Sequence, residues 1–270
     1  MNFNGRVDEI IGRKNSMLCV GLDPVLEKLP QSVRTAAEPF FMFNKLLIDA
    51  TIEFACAFKL NLAFYEAYGL EGWRALKKTF EYLPPDVIRI ADAKRGDIGN
   101  TAQMYARALF DDLGADAVTL NPYMGYDSAE PFLCHEQKGA FFLCLTSNPG
   151  SKDFQHFSNR EIALYEKVAI TVNDWNSRDN CGLVVGATHP EELARVRSLA
   201  PALPLLIPGI GAQGGDLEAS VKFGTNQQKS MALFNSSRAI IYASANADFA
   251  LKAAVEAKTA RDQLNSARNQ

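Results

Sequence analysis

Short apolar runs alternate with longer amphipathic stretches along the chain. The runs are MLCVGL (17–22), AFKLNL (57–62), VIRIADA (87–93), AVTL (117–120), AFFLCL (140–145), GLVVGA (182–187) and LPLLIP (203–208). The eighth is either MALFNS (231–236) or AIIYAS (239–244). Each is strand-sized, and a strand buried on both faces shows a continuous apolar run rather than alternation. Between them, 38–54, 72–82, 100–113, 128–137, 160–175, 191–200, 216–223 and 249–263 place apolar residues at helical spacing. A strand followed by a helix, eight times over, predicts a parallel α/β fold. At roughly 34 residues per unit the chain has the length of a (β/α)8 TIM barrel, which needs ~250 residues. The competing architecture is a doubly wound open sheet, which commonly carries G-x-G-x-x-G after its first strand. Here the first run leads into Leu22-Asp23-Pro24, with no such glycines. The pattern favours the barrel, as a single α/β domain over 1–270, with residues 4–14 forming a short helix that plugs its bottom.

Composition narrows the function classes. The 270 residues suffice to bury a full core without disulfide staples. Lys and Arg number 28 against 31 Asp and Glu, a net charge of −3, which speaks against the basic face that nucleic acid needs. No apolar run approaches the ~18 residues of a spanning helix, so no membrane partner is expected. Charges interrupt the N-terminal segment MNFNGRVDEIIGRKNSMLCV, unlike a secretory signal. Cys19, Cys56, Cys134, Cys144 and Cys181 are widely spaced with no C-x-x-C, which predicts mostly buried free thiols and a cytoplasmic protein. His135, His156 and His189 form no H-x-x-x-H pair, so no metal is expected and these residues belong on the surface or in loops.

In a barrel the chemistry sits at the C-terminal ends of the strands. The first predicted strand ends in Asp23, the second holds Lys59 and Asn61, and the third runs into Asp92-Ala93-Lys94-Arg95-Gly96-Asp97. Lys59 lies in the most apolar part of the chain, where an uncompensated ammonium costs several kcal/mol, so it needs a carboxylate, and Asp92 on the next strand is the candidate. In D-x-K-x-x-D, Asp92 and Lys94 are two apart and point the same way on a strand, while Asp97 lies past the turn. Together these residues make an alternating Lys–Asp–Lys–Asp array suited to preorganised electrostatics. The competing readings are a structural ion pair for Lys59 and a solvated loop for the motif. After the seventh strand come Gly209, Gly211, Gly214 and Gly215, which let backbone N–H groups approach an anion. With Gln213 and Arg238 they suggest a phosphate site, against the alternative of a plain turn-rich loop. That reading holds only if the eighth strand is 231–236, because 239–244 would put Arg238 at the opposite end. The segment SNPGSKDFQHF (147–157) looks like a lid with Ser147 at its base, able to hydrogen-bond a polar ring, or like an ordinary loop.

These residues together resemble the orotidine 5'-phosphate decarboxylase family, in its longer bacterial form. The matching segments are VGLDP (20–24), FKLNLAFYE (58–66), DAKRGDIGNTA (92–102), LTSNPGS (145–151), PGIGAQGGD (208–216) and NSSRAI (235–240). The resemblance implies a homodimeric barrel that converts orotidine monophosphate to uridine monophosphate in pyrimidine biosynthesis without metal or other cofactor. It implies Lys94 as proton donor, with Lys59, Asp92 and Asp97 completing the charged array. Asp97 and Thr101 would reach into the partner's site. Asp23 and Asn61 would bind ribose, Ser147 the pyrimidine, and Gln213 and Arg238 the phosphate. Two alternatives stand beside it. One is a Mg²⁺-dependent sugar-phosphate decarboxylase or aldolase on a related barrel, against which Lys59 stands where a metal would want a carboxylate. The other is a non-catalytic nucleotide-binding barrel, which gains nothing from burying such an array.

Overall fold

The computed structural model describes residues 1–158, 161–187, 190–209 and 216–270. The strands are β1 (Leu18–Gly21), β2 (Ala57–Asn61), β3 (Ile88–Arg95), β4 (Ala117–Leu120), β5 (Gly139–Leu145), β6 (Cys181–Val185), β7 (Leu205–Pro208) and β8 (Ala232–Ser236). They pair in parallel in chain order and close as a barrel, with Leu18 opposite Phe234 and Val20 opposite Ser236 at the seam. The α/β barrel expected from the pattern is the one observed. Closure also decides between the two candidates for the last strand. Once 232–236 pairs with both β7 and β1, no edge is left for 239–244, and Arg238–Ile241 turns into a short helix instead.

The helices are α1 (Phe3–Lys14), α2 (Gln31–Arg34), α3 (Pro39–Thr51), α4 (Ala63–Glu66), α5 (Gly69–Tyr82), α6 (Gly99–Arg107), α7 (Tyr126–Leu133), α8 (Leu164–Trp175), α9 (Pro190–Leu199), α10 (Leu217–Gly224), α11 (Arg238–Ile241) and α12 (Phe249–Asn269). Several ends depart from the apolar spacing for local reasons. α3 starts on Pro39, whose missing N–H costs nothing in a first turn. α6 runs into a wide π turn over Ala108–Asp112 rather than continuing as α-helix. α7 stops at Leu133, four residues short of the expected end, in the turn Lys138 N→His135 O. α8 begins at Leu164 rather than 160, because the Glu166 carboxylate caps the Ala163 N–H at 2.7 Å. α12 continues to Asn269, since no Gly or Pro interrupts 264–269 and Leu264 is buried.

α1 closes the end of the barrel where the strands begin, as its sequence suggested. Phe3 packs edge-on against Phe141 and over Gly139, and Arg6 bonds Asp116 at 2.9 Å. Asp116 is 2% exposed and also accepts from Arg89 Nε at 2.8 Å. Burial works against its charge, but Arg89 and then Arg6 hold the carboxyl below its ordinary value. Cys19, Cys56, Cys144 and Cys181 are buried free thiols and Cys134 is exposed. His135 and His156 are half-buried, and His189 lies outside the described residues.

Candidate active site

β1 and β2 bring the first pair together. Asp23 follows β1, and its Oδ1 accepts from Asn61 N at 3.1 Å. The Asn61 side chain turns back on its own chain and accepts from Ala63 N at 3.1 Å. In the β2–β3 register Asn61 lies opposite Asp92, which brings Lys59, two residues earlier, within reach of that carboxylate. Lys59 Nζ lies 3.2 Å from Asp92 Oδ2, with the two side chains only 7% and 10% exposed. Lys94 Nζ lies 2.6 Å from Asp92 Oδ1, and Thr119 Oγ1 on β4 donates to that same oxygen at 2.8 Å. The result is a buried chain of ammonium, carboxylate and a half-exposed second ammonium at the C-terminal mouth.

Lys94 does not reach its place by a regular strand pleat. Its φ is 48°, in the left-handed region that a lysine enters only at a cost, and the β3–β4 register shifts between Ala91 and Arg95. Thr119 Oγ1 accepts from Lys94 N at 2.9 Å and so fixes this turn of the backbone. Thr119 is a site residue that the sequence reading missed, hidden as the one hydroxyl inside the apolar run AVTL.

The charges sustain one another. Burial opposes the Lys59 ammonium, but the carboxylates of Asp23 and then Asp92 outweigh it and raise that group above its ordinary value. Burial likewise opposes the Asp92 charge, yet Lys59 and Lys94 together bring the carboxyl down to about 2.

Asp97 lies beyond β3, half-buried, with Oδ1 accepting from Ile98 N at 2.8 Å. Among the described residues no ion pair joins it to the Lys59–Asp92–Lys94 chain. Thr101 is exposed on α6. Ser147 is half-buried at the end of β5, pressed against Gly186 so closely that a Cβ there would come within 3.1 Å of its own. Arg238 opens α11 on the functional side and lines a cleft of about 380 Å³ with Asp23, Lys28, Gly209, Ser237 and Tyr242. Gly209 has φ of 101°, which suits glycine where β7 turns into its loop. Gln213, with Gly211, Gly214 and Gly215, lies outside the described residues.

A closed (β/α)8 barrel with a charged chain at its mouth and a cationic cleft beside it defines the class of protein: a barrel with its polar site at the strand ends. Within that class, residues 16–254 match the orotidine 5'-phosphate decarboxylase / HUMPS family, and the chain belongs to it. A relative from Dehalococcoides mccartyi named orotidine 5'-phosphate decarboxylase is 51% identical over 98% of both chains. Another of that name from Christiangramia forsetii is 50% identical over 96% of both. Among solved structures, Leishmania donovani OMP decarboxylase superposes with a TM-score of 0.87 at 40% identity, covering 100% of each chain. No described helix is long and apolar enough to cross a membrane.

Proposed function

We propose that this chain decarboxylates orotidine 5'-monophosphate to uridine 5'-monophosphate in pyrimidine biosynthesis, in the cytoplasm, with no metal or organic cofactor. The observation that carries the reading is the Lys59–Asp92–Lys94 chain, joined at 3.2 and 2.6 Å. Loss of CO₂ breaks the bond to the ring carbon and leaves its electron pair there, on a pyrimidine with no electron sink. A fixed ammonium beside that carbon stabilises the developing charge. Lys94 supplies it and then transfers its proton to the same carbon. Asp92 holds Lys94 in place, and Lys59 keeps Asp92 ionised. Asp23 and Asn61 bind the ribose, Ser147 the ring, and Gln213 with Arg238 the phosphate. The barrier to be removed lies near the top of the ~8–23 kcal/mol range of enzymes, so phosphate binding energy must help to organise the array.

Asp97 and Thr101 enter the site from a second copy in a homodimer. Supporting this, Ile98, Met104, Tyr123, Met124 and Tyr126 are exposed apolar residues on the adjoining β3–α6 and β4–α7 segments. The Mg²⁺ alternative fits poorly, because Asp92 Oδ2 already faces Lys59 and Oδ1 faces Lys94 and Thr119. The test is a spectrophotometric assay with orotidine 5'-monophosphate before and after EDTA treatment. Equal turnover in both is expected. No turnover, or loss on EDTA treatment with recovery on adding Mg²⁺, would overturn the proposal.

A further inference from the structure

The connection that carries Asp23, residues 22–26, is held by phenol groups. Tyr65 Oη donates to Leu22 O at 2.8 Å, and Tyr68 Oη accepts from Leu26 N at 3.1 Å. Both come from the β2 side of the cleft. Tyr242 comes from the β8 side, where its Oη accepts from Val25 N at 2.8 Å and donates to Asp23 O at 3.2 Å. Tyr242 is also the residue that ends α11, the short helix that Arg238 begins, and its N–H donates to Arg238 O at 3.2 Å. Its ring stacks on Phe43 with centroids 6.1 Å apart, and Lys28 Nζ lies 5.5 Å from its centroid. Asp23, Arg238 and Tyr242 all line the same cleft.

We propose that Tyr242 is a positioning residue that couples the Arg238 end of the cleft to Asp23, and through Asp23 to the buried Lys59. α11 is the strut between the two ends. An anion that draws Arg238 inward moves the strut, and the Tyr242 hydroxyl passes that movement to the backbone of Asp23 and Val25. Asp23 answers to Lys59 by charge and to Asn61 N by its hydrogen bond. Burial pushes the Tyr242 hydroxyl up to about 12, so it keeps the proton it donates to Asp23 O. The inference rests on the reading of the Arg238 cleft as the phosphate site of the decarboxylase.

Tyr242→Phe keeps the ring stack and removes both hydroxyl bonds. The test is a double-mutant cycle of Tyr242→Phe and Arg238→Ala, read as kcat/KM for orotidine 5'-monophosphate, with a thermal melt of each variant. Coupling predicts a loss of about tenfold for Tyr242→Phe in the wild-type background and less than about threefold in the Arg238→Ala background. An equal loss in both backgrounds means a merely structural role, and no loss in either means no role; each overturns the proposal. A second measurement needs no turnover: amide hydrogen exchange at Val25 with and without inorganic phosphate. Phosphate should slow exchange in the wild type and leave Tyr242→Phe unchanged. The same slowing in both proteins, or slowing in neither, contradicts the coupling. If wild-type protein fails to turn over orotidine 5'-monophosphate, the decarboxylase reading falls while the Val25 measurement still decides the coupling.

Discussion

Lys94 combines a left-handed backbone, a hydrogen bond from its N–H to Thr119 and a 2.6 Å contact with Asp92. Strain of that kind persists only where the surroundings over-determine it, and here it aims an ammonium into the mouth of the barrel. Lys94→Ala is expected to fold with unchanged secondary structure and to lose nearly all turnover. A positioned general acid contributes ~10²–10⁴ in rate, so an activity loss below about tenfold would contradict its role. Asp92 carries a different expectation. Asp92→Asn leaves Lys59 buried beside Asp23 alone, and breaking such a pair typically costs ~3–5 kcal/mol of stability. Its folded pKa of about 2 lies below the ordinary 3.8, so the ionised form favours folding. That contribution is complete above the ordinary value and is lost as pH falls through about 2. Urea unfolding between pH 5 and pH 2 should show the wild type losing this increment and Asp92→Asn lacking it at every pH. Identical profiles would remove Asp92 from the stability account. Lys59 works in the opposite direction, since its raised pKa gives stability that is present below its ordinary value and lost only in strong alkali.

The elements were largely legible because every strand of a closed barrel is buried on both faces and announces itself as an apolar run. The run AVTL matches β4 residue for residue, and the helix foreseen at 4–14 gains Phe3 at its start. Helix ends were less legible, since they depend on single contacts such as the Glu166 cap of Ala163 that apolar spacing does not record. AIIYAS looked like a strand because β-branched and aromatic residues suit both a strand and a buried helical turn; only barrel closure separates them. At the opposite end, α1 is seated by Phe3 over Gly139, where an added Cβ would lie 2.2 Å from the ring. Gly139→Ala must therefore displace Phe3 or the start of β5. The expected cost is ~1–3 kcal/mol in urea denaturation, with the active site intact at neutral pH. Unchanged stability would show that Phe3 is free to move aside.

Across the whole molecule, the sequence brought out the Lys59–Asp92–Lys94 chain because a lysine inside an apolar strand demands a partner. Thr119 and the phenol contacts of Tyr65, Tyr68 and Tyr242 stayed hidden, because a lone hydroxyl at long sequence separation carries no periodic signal. Asp97 and Thr101 stand apart for another reason: among the described residues Asp97 joins no ion pair, its Oδ1 accepting from Ile98 N instead, and Thr101 is exposed on α6. In the proposed homodimer they complete the site of a second copy, beside the exposed apolar residues Ile98, Tyr123 and Met124. The most direct test mixes Lys94→Ala chains with Asp97→Ala chains under conditions of subunit exchange. Each variant alone should be inactive. In a mixed dimer one site inherits both lesions and the other inherits neither, so random pairing should restore about a quarter of wild-type turnover of orotidine 5'-monophosphate. If Asp97 serves its own chain, every site carries a lesion, and a mixture that stays inactive would contradict the shared array.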